Sequence, residues 1–443
     1  MRKSLLLIIA VPLLAQDPLS LRDAVRTALR QNRAVAASGA GMQASAARVK
    51  EARAGFLPKV NYSETFVRSD NPVFVFSSLL TQHQFGAGNF NLGPLNRPDS
   101  INNFQSVLAV DQAIYDAGQT RNALKSADLS RQLSAEEQRG TGMQVIAGVV
   151  RAYYGAVLAA ESLKTAEQAL RSAEADLRRA ESVRATGMST DVDVLSIRVH
   201  LAAVTEQRIQ RAADLDVARA ALNDALGLPL DTQHTLSSSL TPLDLPEFQL
   251  ASLEQDASGA RPEARSSHLA ASLARTQADA ARSALLPQVG FHAAFEADRQ
   301  QFFNKGGANW LASVGLKWNL FNGNGDRARI EEASHWMDRA HAEEQRVDSA
   351  VRLEVRRAWA DLRAAVERIE VAKAAVAEAE ESLRITQNRY EAGMSNVTDL
   401  LRNETAVLAS RTRYLAAVHD QRLAAANLEL AAGRLSPDSE VLN

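Results

Sequence analysis

Apolar residues recur three and four positions apart over long parts of this chain, which is the spacing of an amphipathic helix. The clearest run lies between Tyr115 and Gly187, where Arg, Glu and Gln occupy many of the intervening positions. Its apolar positions are Val145, Val149, Ala152, Tyr153, Ala156, Val157, Ala160 and Leu163. A helix of about 65 to 70 residues reaches roughly 100 Å and needs other helices packed along it. The pattern therefore predicts a mainly helical protein built on long rods.

The same arrangement occurs twice. Tyr115 to Gly187 spans 72 positions, and Phe321 to Gly393 also spans 72. The two segments end in matching turn signals, Gly187-Met188-Ser189 and Gly393-Met394-Ser395. The glycine permits a left-handed turn and the polar residues after it cap a returning helix, predicted at Asp191 to Leu226 and at Val397 to about Ala432. Equal spacing over such a length predicts an internal duplication.

A pair of shorter helices precedes each rod. The first pair is predicted from Leu19 to Gly55 with a break near Asn32, and the second from Leu253 to Pro287. Pro58 and Pro287 stop these helices, because proline lacks the N–H that a helix needs. The predicted divisions are a signal peptide at 1–15, a first repeat at 16–231, a linker at 232–249, a second repeat at 250–436 and a tail at 437–443.

After each proline the apolar period changes from helical to two, which predicts strands. Four strands are expected, at Val60 to Phe66, Phe104 to Ile114, Val289 to Phe295 and Trp310 to Leu320. The first hairpin is longer than the second, and its extra residues fall in 71–100. Because this stretch is rich in Gly, Pro, Asn and Phe, it is predicted to be a loop at the hairpin tip.

Trp310 and Trp318 lie on one face of the fourth predicted strand, about 27 Å apart at the strand rise. A transmembrane barrel strand carries aromatic residues at both edges of an apolar band about 25 Å tall. Both tryptophans are therefore predicted at the membrane interfaces. The alternative is a strand of a soluble sandwich that packs both tryptophans inward.

Composition and the N-terminus bear on compartment and chemistry. The chain has 443 residues, a formal net charge of −2 and no cysteine, which excludes disulfides, thiolate metal sites and cysteine nucleophiles. A near-neutral charge argues against a general nucleic-acid binder. Met1 to Ala15 has the basic start and the short apolar run of a secretory signal, with cleavage expected after Ala15.

No catalytic, cofactor or metal site is predicted. Glu332 and His335 form one E-x-x-H pair on a helix, but a carboxylate-bridged metal centre needs a second such pair. Gly306-Gly307 lacks the lysine and the following helix of a phosphate-binding loop. Glu332 and His335 are interpreted as a solvated helix face and Gly306-Gly307 as a hairpin tip, and the protein is not expected to be an enzyme.

The order of helix pair, strands, long helix, glycine turn and returning helix, repeated twice, resembles the TolC-like outer membrane efflux protein family. The residues that carry this resemblance are Leu57-Pro58, Leu286-Pro287, Tyr115-Asp116-Ala117-Gly118, Phe321-Asn322-Gly323, Arg389-Tyr390-Glu391-Ala392-Gly393 and the two Gly-Met-Ser turns. The resemblance implies a homotrimer in the outer membrane. Each subunit would give four strands to a shared transmembrane β-barrel and its helices to a long periplasmic α-barrel.

The resemblance also implies a function and partners. The expected function is the exit duct of a tripartite efflux system, passive for drugs or other small toxic molecules and driven by an inner-membrane pump through a periplasmic adaptor. Export of a protein by a type I secretion system is the alternative within the family. A secreted coiled-coil structural protein is the alternative outside it, although that interpretation leaves the Trp-flanked strands unexplained.

Site residues follow from the resemblance as well. The turns Gly187, Met188, Ser189 and Gly393, Met394, Ser395 would dock the adaptor. Asp193 and Tyr390 match positions that tie the helix ends shut, and Asp399 matches an acidic residue at the periplasmic entrance. Two positions depart from the family pattern, since Ser395 replaces a gating arginine and Arg402 replaces a second acid. Asp399 and Arg402 are three residues apart on one helix and are expected to pair, the alternative being ordinary surface charges.

Overall fold

The structure is a computed structural model that describes residues 18–185, 190–244, 249–304 and 306–442. The predicted signal peptide at 1–15 and the turn residues Gly187, Met188 and Ser189 lie outside the described residues. The chain divides into two compact units. The first contains Met1–Gly41, Ala135–Ser266 and Gln345–Asn443, and the second contains Met42–Ser134 and Ser267–Glu344. Each unit therefore takes residues from both predicted repeats.

The long helices that the apolar spacing predicts are present. The helices of the described residues are α1 Leu21–Gln31, α2 Arg33–Ala54, α3 Pro72–Thr81, α4 Leu92–Asn96, α5 Gln119–Ala185, α6 Asp191–Leu226, α7 Leu250–Ala260, α8 Pro262–Ser283, α9 Gly325–Glu391 and α10 Val397–Ala431. The two rods, α5 and α9, have 67 residues each. The predicted break near Asn32 separates α1 from α2, and α8 begins at Pro262 shortly after α7 ends.

One apolar core holds the first unit together. Tyr153 and Tyr154 on α5 are fully buried in it with side chains of α1, α6, α9 and α10. The Tyr153 hydroxyl donates to the Leu19 carbonyl at 2.9 Å and to Ser238 Oγ at 3.0 Å. This satisfies the buried phenol and anchors the described part of the predicted linker, where Leu19 also forms a parallel bridge with Leu236.

Half of the most apolar 18-residue stretch of α5 is buried. Among the described residues, one helix, α5, is long enough and apolar enough to cross a membrane, judged by length and composition alone. The core helix of a soluble unit passes the same criterion, and the buried tyrosines identify this stretch of α5 as core.

A four-stranded antiparallel sheet belongs to the second unit. Its strands are β1 Lys59–Ser69, β2 Ile101–Tyr115, β3 Gln288–Arg299 and β4 Gly307–Lys317, hydrogen-bonded in the order β1-β2-β3-β4. The four predicted strands are thus confirmed. The predicted end of the fourth is wrong, because β4 stops at Lys317 and Trp318 follows it. Trp318 Nε1 instead donates to the Leu285 carbonyl at 3.0 Å, outside the ladder.

The Gly, Pro and Asn content of the segment 71–100 predicts a loop, and this prediction is wrong. The segment contains α3, a short 3-10 turn at Ala87–Phe90, and α4. Asn71 Oδ1 caps α3 by accepting from the backbone N–H groups of Val73 and Phe74, and Pro72 occupies the first turn, where no N–H is needed. The apolar run after this cap supplies the packing that a bare loop lacks.

Candidate functional site

The sheet has one apolar face and one polar face. Residues directly opposite in neighbouring strands share a face, and successive residues alternate between faces. By this register the apolar face carries Val60, Tyr62, Phe66, Leu108, Val110, Phe291, Phe295, Trp310, Val314 and Leu316. The other face carries Asn61, Ser63, Thr65, Gln105, Asp111, His292, Glu296, Asn309, Ser313 and Lys317. Such a sheet separates an apolar medium from a polar one.

The apolar face is uncovered in the single chain. Trp310 is 80% exposed and Leu316 is 66% exposed. The outer strands β1 and β4 each have one side without a hydrogen-bonded neighbour among the described strands. An uncovered apolar face with two open edges is unstable in water and also in lipid, where unpaired backbone groups are costly. Trp310 lies on this face, and its interfacial position, like that of Trp318, stays a prediction.

An ion pair interrupts the apolar face. Glu64 on β1 and Arg299 at the end of β3 pair at 2.9 Å between Oε1 and Nη2. The Tyr62 hydroxyl donates to Glu64 Oε2 at 2.7 Å, and Ser106 also bonds to this carboxylate. Sequence reasoning missed this pair, although a glutamate at an apolar-face position of an alternating strand was the available signal.

The end of α3 lies on the polar face. Gly307 begins β4 on this face, and a Cβ built there would fall 1.8 Å from the Thr81 carbonyl oxygen. Gln82 Nε2 donates to Asn103 Oδ1 at 2.8 Å, and Asn103 Nδ2 donates to Asp298 Oδ1 at 2.6 Å. All three side chains are buried, with Asp298 only 1% exposed. The helical insert therefore covers the polar face at the end of the sheet where β1 ends and β4 begins.

A small apolar cluster joins the end of α5 to the starts of α6 and α10. Ala180, Val194, Ile197 and Val397 are buried in it. Tyr390, the predicted gate residue on α9, packs against this cluster together with Leu177 and Leu401. The structure places Tyr390 beside this cluster near the end of α9, and its role as a gate residue stays a prediction.

The turn between α9 and α10 is built on Gly393. Its φ is +71°, in the left-handed region that side chains with a Cβ disfavour, and its N–H donates to the Tyr390 carbonyl at 3.0 Å. Met394 follows with an exposed side chain and donates its N–H to the Arg389 carbonyl at 2.7 Å. The turn therefore presents an exposed apolar side chain, and its docking role stays a prediction.

The acidic residues at the two helix starts act as caps. Thr190 and Asp193 form a capping box in which Asp193 Oδ2 accepts from the Thr190 N–H at 3.1 Å. Asn396 caps α10 by accepting from the Asp399 N–H at 2.8 Å. Asp399 Oδ2 accepts from the Ser395 hydroxyl at 3.5 Å. Within the described residues of the single chain no ion pair joins Asp399 to Arg402, and the role of both residues at the entrance stays a prediction. The Asp399 carboxylate bonds back toward the turn, and Arg402 is exposed.

A buried polar cluster lies next to these ends, and sequence reasoning missed it. Asp176 on α5 is 4% exposed and Glu404 on α10 is 9% exposed. His200 Nε2 on α6 lies 3.2 Å from Glu404 Oε2, and Ser172 Oγ donates to Glu404 Oε1 at 3.2 Å. Burial, with the hydrogen bond and the charge of Glu404, raises the pKa of Asp176 to about 8. Burial opposes ionisation of Glu404, but hydrogen bonds to His200, Asp176 and Ser172 leave its pKa lowered.

No group of three or more His, Asp or Glu side chains in the described part of the chain is arranged to hold a metal ion. The E-x-x-H residues Glu332 and His335 are both exposed on α9. Trp336 Nε1 donates weakly to Glu332 at 3.4 Å, and His335 has acidic neighbours only at 4.0 Å. These residues form an ordinary charged helix surface.

The sequence matches the family model described as outer membrane efflux protein over residues 24–228 and 253–434. The chain belongs to this family. Both matched stretches begin in a helix pair and end at the close of a returning helix. Between them they contain all four strands and both rods.

Three curated relatives align with most of the chain. Protein CyaE of Bordetella pertussis is 29% identical over 95% of this chain and 85% of its own length. Outer membrane efflux protein BepC of Brucella suis is 25% identical over 86% of this chain and 83% of its own length. Alkaline protease secretion protein AprF of Pseudomonas aeruginosa is 24% identical over 86% and 78%. The relatives thus include proteins named for efflux and for secretion.

Solved structures share the fold. The CmeC outer membrane channel of Campylobacter jejuni matches with a TM-score of 0.80 and 17% identity, over 95% of this chain and 87% of its own. A structure of CusC matches with a TM-score of 0.79 and 19% identity, over 94% and 93%. The efflux family member described here is accordingly an outer membrane channel protein.

Proposed function

We propose that three copies of this chain form one channel that is the exit duct of a tripartite efflux system. The duct passes drugs or other small toxic molecules out of the cell. It supplies no energy of its own, since an inner-membrane pump drives the transport through a periplasmic adaptor. The observation that carries this proposal is the uncovered apolar sheet face with open edges at β1 and β4, in a protein of an outer membrane channel family.

The open edges explain why a single chain is insufficient. Each unpaired N–H or C=O group facing lipid costs several kcal/mol, so a four-stranded sheet cannot remain open in a bilayer. Pairing β4 of one copy with β1 of the next closes a barrel around an axis. The polar face, with Gln105, Asp111, Glu296 and Lys317, then lines the lumen, and Trp310 faces lipid. This arrangement requires no other protein to complete the barrel.

The periplasmic ends supply the contact with the adaptor. The Gly393 turn presents Met394 and Ser395, and the equal length of α5 and α9 favours a matching turn at Gly187, Met188 and Ser189, as expected of an internal duplication. Asp193, Tyr390, Asp399 and Arg402 lie on or next to these helix ends and form the entrance. In a closed duct, contacts between the helix ends at this entrance would hold the channel shut.

Secretion of a protein through a type I system is the second candidate. It is favoured by the relative named an alkaline protease secretion protein, which is similar along 86% of this chain. The channel wall would serve either cargo, so the two functions differ in the pump that engages the periplasmic turns.

The test begins with a host strain that lacks this protein. Efflux predicts that deletion raises intracellular accumulation of fluorescent drugs, and that wild-type protein restores low accumulation only when pump and adaptor are present. Normal accumulation combined with loss of a protein from the culture medium would favour secretion instead. Recovery of the protein as a water-soluble periplasmic rod, with no heat-modifiable trimer in outer membrane extracts, would reject both channel functions.

A further inference from the structure

The buried carboxyl pair of Asp176 and Glu404 has no role in the proposed duct. Both residues occupy positions where the helical spacing calls for apolar side chains. Asp176 lies three residues after buried Ala173 and four before buried Ala180, and Glu404 lies between buried Leu400 and Val407. Burying two carboxylates at such apolar positions costs free energy unless one of them is neutral or paired.

One proton resolves this cost. Asp176 Oδ2 is buried, and within the described residues no group donates a hydrogen bond to it. Asp176 lies one turn after Ser172, whose hydroxyl donates to Glu404 from α5. A protonated Asp176 is therefore placed to donate to the Glu404 carboxylate on α10. Glu404 keeps its negative charge, with the Ser172 hydroxyl and His200 beside it.

The surrounding charges do not neutralise a second negative charge at this point. Arg179 on α5 lies 3.3 Å from Asp176 Oδ1, but the same Nη1 atom lies 3.1 Å from Glu391 on α9. His200 from α6 is next to Glu404. The other charged groups lining the adjoining cavity of about 400 Å³ are Glu380, Arg384 and Arg411. Arg411 pairs with Glu380 at 2.6 Å and Arg384 with Glu381 at 2.7 Å, so these arginines are already engaged.

We propose that Asp176 and Glu404 form a proton-binding site that fastens α5 to α10 beside the Gly393 turn while it holds its proton, and loosens this contact when the proton leaves. Arg179 extends the effect to the turn, because it joins Asp176 to Glu391, two residues before Gly393. Opening of the periplasmic end at alkaline pH is the consequence for transport, and that consequence alone rests on the proposed function.

The direction of the pH dependence follows from the raised pKa of Asp176. A group that holds its proton more tightly in the folded protein stabilises the fold fully at acidic pH, and this contribution is lost as the pH rises through the folded-state value of about 8. Above that pH, two buried negative charges face each other, with Glu391 as a third nearby. The contact between the helices is therefore tight at neutral pH and weakened in alkaline solution.

Infrared spectroscopy of the purified full-length protein tests for the proton itself. We expect a carboxylic-acid C=O band at pH 7 that disappears in alkaline buffer, is absent in Asp176→Asn, and is unchanged in the control Asp214→Asn. Asp214 is a partly exposed carboxylate on α6 that pairs with Arg211. In Glu404→Gln the band should titrate at lower pH, because a negative neighbour has been removed. A band that persists in Asp176→Asn, or no band at neutral pH, would refute the site.

Amide hydrogen exchange tests the loosening. After correction for the intrinsic pH dependence, exchange near Asp176 and Glu404 should rise several-fold between pH 7 and pH 9 in the wild type and stay level in Asp176→Asn, which remains neutral. An equal rise in both proteins would overturn the fastening role. Bilayer conductance then separates the two ideas: a channel whose conductance rises with pH in the wild type but not in Asp176→Asn supports gating. A conducting channel without that difference refutes gating, whereas failure to form channels counts against the duct and leaves the infrared result intact.

Discussion

Gly307 offers a direct way to move α3 off the polar face of the sheet. Replacement of Gly307 by alanine would place a methyl group 1.8 Å from the Thr81 carbonyl oxygen and 3.0 Å from the Gln82 carbonyl carbon. Backbone atoms at that distance must shift. Overpacking of this kind destabilises the docked position of α3 by about 1 to 3 kcal/mol. The Gln82–Asn103 hydrogen bond stabilises that position by only about 1 kcal/mol, so α3 should leave.

The measurement is single-channel conductance in planar bilayers. If α3 lies in the lumen, Gly307→Ala should widen the exit and raise the conductance. Gly315→Ala is the matched control, because Gly315 lies on the same face of β4 and a Cβ there meets nothing within 4 Å. Equal conductance in the two variants would show that α3 does not restrict the pore. A cysteine placed at Thr81 should also become more reactive in Gly307→Ala.

Three further outcomes are expected. Phe90→Cys should react with a membrane-impermeant label on intact cells, since Phe90 is exposed in the insert at the hairpin tip, and labelling only after permeabilisation would reverse the topology. Gly393→Val should weaken adaptor cross-linking, because a left-handed backbone costs a residue with a Cβ about 1 to 2 kcal/mol, whereas Ala392→Val should not; cross-linking that survives Gly393→Val would remove the docking role. Arg402→Asp should raise cation selectivity and Asp399→Asn should lower it, and unchanged reversal potentials in both variants would place these residues away from the constriction.

Residues that end helices explain why the main elements could be predicted. Pro58 and Pro287 lack the backbone N–H that a helix needs. Gly227 and Gly393 adopt the left-handed conformation that follows a helix end. The period of apolar positions likewise depends only on which face of one element is buried. These signals need no knowledge of the neighbours, so the rods, the returning helices and the four strands followed from them.

The features that could not be predicted depend on neighbours distant in sequence. Asp176 and Glu404 are 228 positions apart, and each one alone resembles a stray polar residue in an apolar seam. Glu64 and Arg299 meet only through the sheet register. The prediction of a loop at 71–100 is wrong because the glycines and prolines of the segment hide the capped apolar run of α3. The Asp399–Arg402 pair is predicted from spacing alone, and spacing does not reveal that the Asp399 carboxylate also accepts from the Ser395 hydroxyl at 3.5 Å.

The helices α5 and α9 have the same length, 67 residues, so a change in the length of one must be matched in the other. Removing one residue from α5 shifts its end by about 1.5 Å and rotates every later side chain by about 100°. Ala173, Asp176 and Ala180 would then no longer face α10, even though every local helical preference remained satisfied. A deletion of seven residues nearly restores the facing positions, leaving a drift of about 20°. Shortening the rods while keeping these contacts therefore requires the removal of a nearly whole number of turns, such as about seven or eleven residues, from both rods together.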